Sequence, residues 1–120
     1  MTGVSGNKYL VVLVTVGSAD DAAGLARTLV EERLAACGNI VDRIRSVYRW
    51  EGKIEDEGET LLVLKTRAAR FEALKRRIVE LHSYDVPEVI ALEITDGHKA
   101  YLDWIDSNTA CKKLSTRRQS

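Results

Sequence analysis

Proline, cysteine and histidine are scarce: 120 residues hold one proline, two cysteines and two histidines, with a single phenylalanine. With Pro87 alone, no proline-rich linker divides the chain, and its length fits one domain able to bury about two-thirds of its unfolded surface. Cys37 stands in apolar LAAC and Cys111 in a loose polar segment, a pair that suggests no structural disulfide and fits a reducing compartment. An excess of one charge is also missing. Eighteen basic residues balance eighteen acidic ones, so neither a nucleic-acid backbone nor an anionic membrane is an expected partner. The longest apolar run, YLVVLVTV at 9–16, is about half the length a membrane-spanning helix needs. MTGVSGNK at the start lacks the charged-then-apolar order of a secretory signal, and a cytoplasmic location is expected. Basic residues gather only at Lys112, Lys113, Arg117 and Arg118, in aperiodic sequence that reads as a solvated tail, 108–120, after a single domain at 8–107.

What is present is strongly patterned. The run 9–16 reads as a buried strand, and Ser18 with Asp21 supplies a capping-box-like helix start. From Asp20 to Leu34, Ala22, Leu25, Ala26, Leu29, Val30 and Leu34 recur at helical spacing, with Gly38 and Asn39 suited to the left-handed helix end. Two further strands, 40–50 and 59–66, flank the acidic EGKIEDEG as a hairpin turning at Gly52, with Ile54 on the returning strand and Gly58 a possible bulge. A second helix covers Ala68 to His82, with Phe71, Leu74, Ile78 and Leu81 on one stripe. Pro87 bars its continuation and pushes Val86 towards extended backbone before the strand VIALEI at 89–94. Asp96 is placed to cap a last short helix that turns Tyr101, Leu102 and Ile105 inward.

This order predicts an α+β, ferredoxin-like βαββαβ fold: an antiparallel four-stranded sheet, both main helices on one face, and a C-terminal helix. The strands carry apolar residues on both parities, where a sheet with one wet face would alternate. Leaving six such side chains exposed would forgo about 10 kcal/mol. An obligate homo-oligomer is therefore expected, with other copies covering the second face.

The blocks RLAACGNI (33–40), SVYRWEGKI (46–54), ETLLVLKT (59–66) and LHSYDVPEVIAL (81–92), with YLDWI at 101–105, resemble the CutA divalent-cation tolerance family. The resemblance covers nearly all of 8–106. It implies a homotrimer of ferredoxin-like subunits that binds divalent cations, copper in particular, in a metal-tolerance role. Two departures matter: TVGSAD at 15–20 has no cysteine where family members often have one, and Ser83 and Asp85 replace a more usual proline and glutamate.

Cys-x-x-Cys, His-x-x-x-His and EF-hand spacings are all absent, so a metal site would have to be assembled in three dimensions. Both crossover helices are expected to run back antiparallel to their parent strands and to end at the same end of the sheet, which brings Cys37 and His82 together there, with Glu88 or Glu59 adding a carboxylate from the same chain or across a subunit boundary, a set suited to copper or zinc. Each has a plainer role: Cys37 as a small buried group, His82 bonded to a helix-end carbonyl, Tyr84 packed with its hydroxyl bonded. Tyr48, Trp50, Glu59, Lys65 and Tyr84 are candidates to line a pocket between subunits, whereas Glu55, Asp56, Glu57 and Glu59 also read as a solvated hairpin. A regulatory module like the PII signalling proteins is the alternative class, with a small ligand held in an inter-subunit cleft near Lys53, Lys65 and Arg67. The phosphate loop G-x-x-x-x-G-K-[ST] is missing, which counts against nucleotides. Cys37 and His82 have no visible activating third group, so an enzyme is not expected.

Overall fold

The structure, a computed structural model, describes residues 8–110. Its elements are β1 (Tyr9–Val16), α1 (Ala19–Glu31), β2 (Cys37–Trp50), β3 (Lys53–Arg67), a 3-10 turn (Ala68–Arg70), α2 (Phe71–Leu81), β4 (Val89–Glu93) and α3 (Lys99–Asn108). The sheet runs β2-β3-β1-β4 with every neighbouring pair antiparallel. This is the α+β, ferredoxin-like arrangement that the element order predicts. The basic tail and Cys111 lie outside the described residues, apart from the first positions of 108–120.

One residue parity of each central strand faces the helices. Leu10, Val12, Val14 and Val16 of β1 and Leu62 and Leu64 of β3 are buried there against Ala22, Leu25, Ala26 and Leu29 of α1 and Leu74 and Ile78 of α2. Ser18 starts α1 as expected, its hydroxyl accepting from the Asp21 N–H at 3.1 Å. The helix ends at Glu31, short of Leu34, because Arg33 rather than Gly38 takes the left-handed conformation at φ 61°. Gly38 instead lies in β2, where an added Cβ would come within 2.9 Å of the Ala26 Cβ. Its value is close approach of strand to helix.

The β2–β3 ribbon is longer than the two short strands expected, and Trp50 pairs with Lys53 across a two-residue turn. Glu51 and Gly52 both have positive φ, 51° and 83°, the requirement of the tight hairpin whose twist matches the strands. The irregularity falls on β2 between Val41 and Ile44, with Arg43 at φ 65°, while Gly58 pairs regularly with Arg45. The expected Gly58 bulge is thus on the partner strand.

α3 crosses the sheet's other face at the Tyr9 end. Ile105 is its buried anchor, Tyr9 donates to Asp106 at 2.7 Å, and Arg67 donates to the Thr109 hydroxyl and carbonyl, each at 2.7 Å. Tyr101, expected inward, is 41% exposed, and Asp96 accepts from the Gly97 N–H instead of capping the helix, whose cap position is His98. Beyond α3 the described residues leave the face bare: Ile90 and Leu92 of β4, which pair with Leu13 and Val11, are 48% and 53% exposed.

Candidate functional site

At the far end of that bare face the sheet edge, the projecting ribbon and the loop before β4 enclose an open-sided pocket of about 620 Å³. Thr15 of β1, Ser46, Tyr48 and Trp50 of β2, Glu57 and Glu59 of β3, and Tyr84, Asp85, Val86 and Glu88 of the loop line it, with Val47 at the rim. Strand alternation explains the selection. Glu57 and Glu59 share a parity of β3, and Tyr48 and Trp50 share one of β2, so the ribbon turns carboxylates and aromatic rings to one side.

Two phenols organise two of these carboxylates. Tyr84 donates to Glu59 Oε2 at 2.7 Å, and Tyr48 donates to Glu57 Oε1 at 2.8 Å. Burial, then the bond to Glu59, holds the Tyr84 phenol well above its ordinary range. The bond to Glu57 and the charges of Glu57, Glu59 and Glu55 push Tyr48 up to about 12. Glu59, read from sequence partly as a solvated hairpin residue, is only 8% exposed. On the opposite side of the ribbon Asp56 is paired with Arg45 through two 2.8 Å bonds, but among the described residues no basic side chain lines the pocket.

His82 ends α2 and sits behind the pocket. Its Nε2–H donates to the Thr15 carbonyl at 2.7 Å, and its Nδ1 accepts from the Tyr84 N–H at 3.1 Å, which defines the neutral tautomer and uses both nitrogens. The imidazole ring lies 4.5 Å from the Tyr84 ring. Its role here is to set the loop that carries Tyr84.

Cys37 is elsewhere. It pairs with Lys65 opposite the start of β1, where Lys65 meets Val11, while His82 is bonded to Thr15 near that strand's other end. The shared-end argument fails because β1 and β3 are antiparallel, so the helices that follow them also run in opposite directions. Cys37 keeps company with Tyr101 at 3.8 Å, Asn39 at 3.6 Å and the Lys65 ammonium at 3.8 Å, and Lys65 also bonds Asn39. Burial and the thiol together raise the Tyr101 phenol above its usual range.

Within one subunit, therefore, Cys37, His82 and Glu88 do not assemble, and no three His, Cys, Asp or Glu residues converge as metal ligands among the described residues. Tyr48, Trp50, Glu59, Tyr84 and Glu88 do come together, while Lys65 belongs with Cys37. Glu57 and Asp85 line the pocket without having been expected to, although the alternation of glutamates at 55, 57 and 59, across the ribbon from Tyr48, Ser46 and Ile44, carries that signal for Glu57.

The chain is similar to the divalent-cation tolerance protein CutA of Thermus thermophilus, 50% identical over 99 residues that cover 82% of this chain and 96% of that protein. The solved structure of that organism's tolerance protein superposes with a TM-score of 0.82 at 49% identity, covering 85% of this chain and 99% of its own. The chloroplastic CutA of Arabidopsis thaliana is 49% identical over 100 residues, and the match spans 83% of this chain but 55% of the longer plant protein. A model of the CutA1 divalent ion tolerance protein matches residues 10–108, and the chain belongs to that family.

Proposed function

We propose that the protein acts in divalent-cation tolerance as a cytoplasmic homotrimer that meets cations through oxygen donors of the pocket. The observation that supports this is the pocket's lining: Glu57, Glu59, Asp85 and Glu88 with no basic side chain among them. The donor chemistry favours carboxylate and hydroxyl ligands over a copper-type thiolate and imidazole, since Cys37 is distant and both nitrogens of His82 are engaged by backbone groups. A compact divalent ion needs several oxygens at about 2.0–2.6 Å, so a second copy would have to complete the set. The bare apolar sheet face gives that copy a place to sit. A relative named chloroplastic makes location a matter for measurement, and fractionation of the native host tests the cytoplasmic reading.

Titration of copper, zinc and manganese into the assembled protein tests the cation reading. Binding that weakens in Glu88→Gln and is indifferent to Cys37→Ala supports it; loss with Cys37→Ala restores the thiolate site, and binding no tighter than millimolar removes both. The PII-like alternative, a small ligand in an inter-subunit cleft, is favoured by one observation: the pocket volume suits an organic molecule better than a bare ion.

A further inference from the structure

Among the described residues, the aspartates of α1, β2, β3 and α3 sit in regular backbone, where hydrogen bonding fixes the amide that follows each of them. Asp85 lies in the loop before β4, but the β-branched Val86 crowds the nitrogen after it. Asp96 differs on each count: it is exposed, it stands in the irregular segment between β4 and α3, and Gly97 follows it. The Gly97 N–H donates to Asp96 Oδ1 at 2.8 Å, so this nitrogen already faces the carboxyl group with no side chain of its own in the way. Nucleophile and carbon are thus held together by the loop instead of meeting by chance.

We infer that Asp96–Gly97 is a site of spontaneous succinimide formation, through which the chain ages to isoaspartate and loosens α3. The Gly97 nitrogen attacks Cγ of the protonated Asp96 carboxyl group. The N–Cγ bond forms, the Cγ–OH bond breaks, and the nitrogen's proton leaves with the hydroxyl as water. Water then opens the ring. Addition at Cγ restores aspartate, whereas addition at the Asp96 main-chain carbonyl breaks the bond to the Gly97 nitrogen. The backbone then runs through Cβ and Cγ, a free α-carboxylate is left behind, and the mass of the chain is unchanged. Position gives the step its consequence. Gly97 lies against Leu102, where an added Cβ would come within 3.3 Å of the side chain, so the segment has little room for a longer backbone. The helix beyond it has Ile105 as its one buried residue and is otherwise tied down by the polar bonds of Asp106 and Thr109. An extra backbone atom and a new charge at its entry displace its first turn.

Neither the cation reading nor association is assumed. The full chain in its native assembly is held for weeks at physiological temperature and near-neutral pH, beside a sample unfolded in guanidinium chloride, and its peptides are mapped by electron-transfer fragmentation. Isoaspartate is expected at Asp96, formed in the folded chain at least as fast as in the unfolded one, because the loop supplies the geometry. Asp96→Asn should convert faster through the same ring, releasing ammonia in place of water. Gly97→Ala should slow the reaction by about tenfold. If that variant fails to fold, Asp96→Glu, which would have to close a larger ring, carries the same expectation. In the aged fraction, amide exchange should quicken in α3 and stay as it was in β1 and β3. No isoaspartate at Asp96, a folded chain slower than the unfolded one, indifference to the slowing variant, or unchanged exchange in α3 would overturn the proposal.

Discussion

The two faces of the sheet are made of nearly the same residues and meet different fates. Towards the helices, Val12, Val14, Leu62 and Leu64 are fully buried. On the other face Val11, Leu13, Leu61 and Val63 are only partly covered, and Ile90 and Leu92 stand about half exposed. Hydropathy alone does not distinguish them. The difference is that local crossovers bring two helices to one face, whereas among the described residues only α3 meets the other, and it covers one end. One face completes the core, and the other is the face on which the proposed association would rest.

Substitutions can break this comparison in graded ways. Leu64→Ala opens a cavity between β3 and the helices and should cost about 2–5 kcal/mol in chemical denaturation. Leu92→Lys, on the bare face, should instead leave the subunit folded and shift sedimentation to the monomer, with melting that no longer depends on protein concentration. If Leu92→Lys sediments as the wild type does, that face is not the interface. Tyr84→Phe, at the end of the same face, removes the donor to buried Glu59 and should cost about 1–3 kcal/mol.

That variant also carries a pH signature. Tyr48 and Tyr84 are raised from an ordinary 10.0, Tyr48 to about 12. Below pH 10 the folded and unfolded chains both keep these phenolic protons. Above it the unfolded chain releases them first, so their stabilisation falls as pH climbs towards 12 and the folded groups titrate. Tyr84→Phe should flatten the decline in melting temperature across that range. The smallest effect belongs to Ser18→Ala, which removes the α1 cap without touching either sheet face: about 1 kcal/mol, and no change in association.

The architecture was legible because it rests on local signals. The short apolar, β-branched run of β1, the helical spacing of Leu25, Ala26 and Leu29, and Gly52 in the turn each act within a few residues. The Cys37 and His82 pairing was misjudged for a non-local reason: it required the relative direction of α1 and α2, set by strand pairing at long sequence separation. The burial of Glu59 was hidden in the same way, since the Tyr84 hydroxyl that receives it comes from a loop 25 residues later. Arg33 in the left-handed conformation could not be read from residue type, because Gly38 nearby is the better intrinsic candidate and is used for packing instead.

The irregularity between Val41 and Ile44 sets the chemistry of the pocket by counting. Before it, the odd-numbered residues of β2 share a face with Leu61; after it, Ile44, Ser46, Tyr48 and Trp50 share a face with Glu59. Simple alternation of the same residues, with no such irregularity, would carry Val47 and Arg49 onto that face in place of Tyr48 and Trp50. A guanidinium would then face the glutamates, and the cavity would neutralise itself. The one-residue shift in register thus decides whether the glutamates share their face with aromatic rings or with a guanidinium.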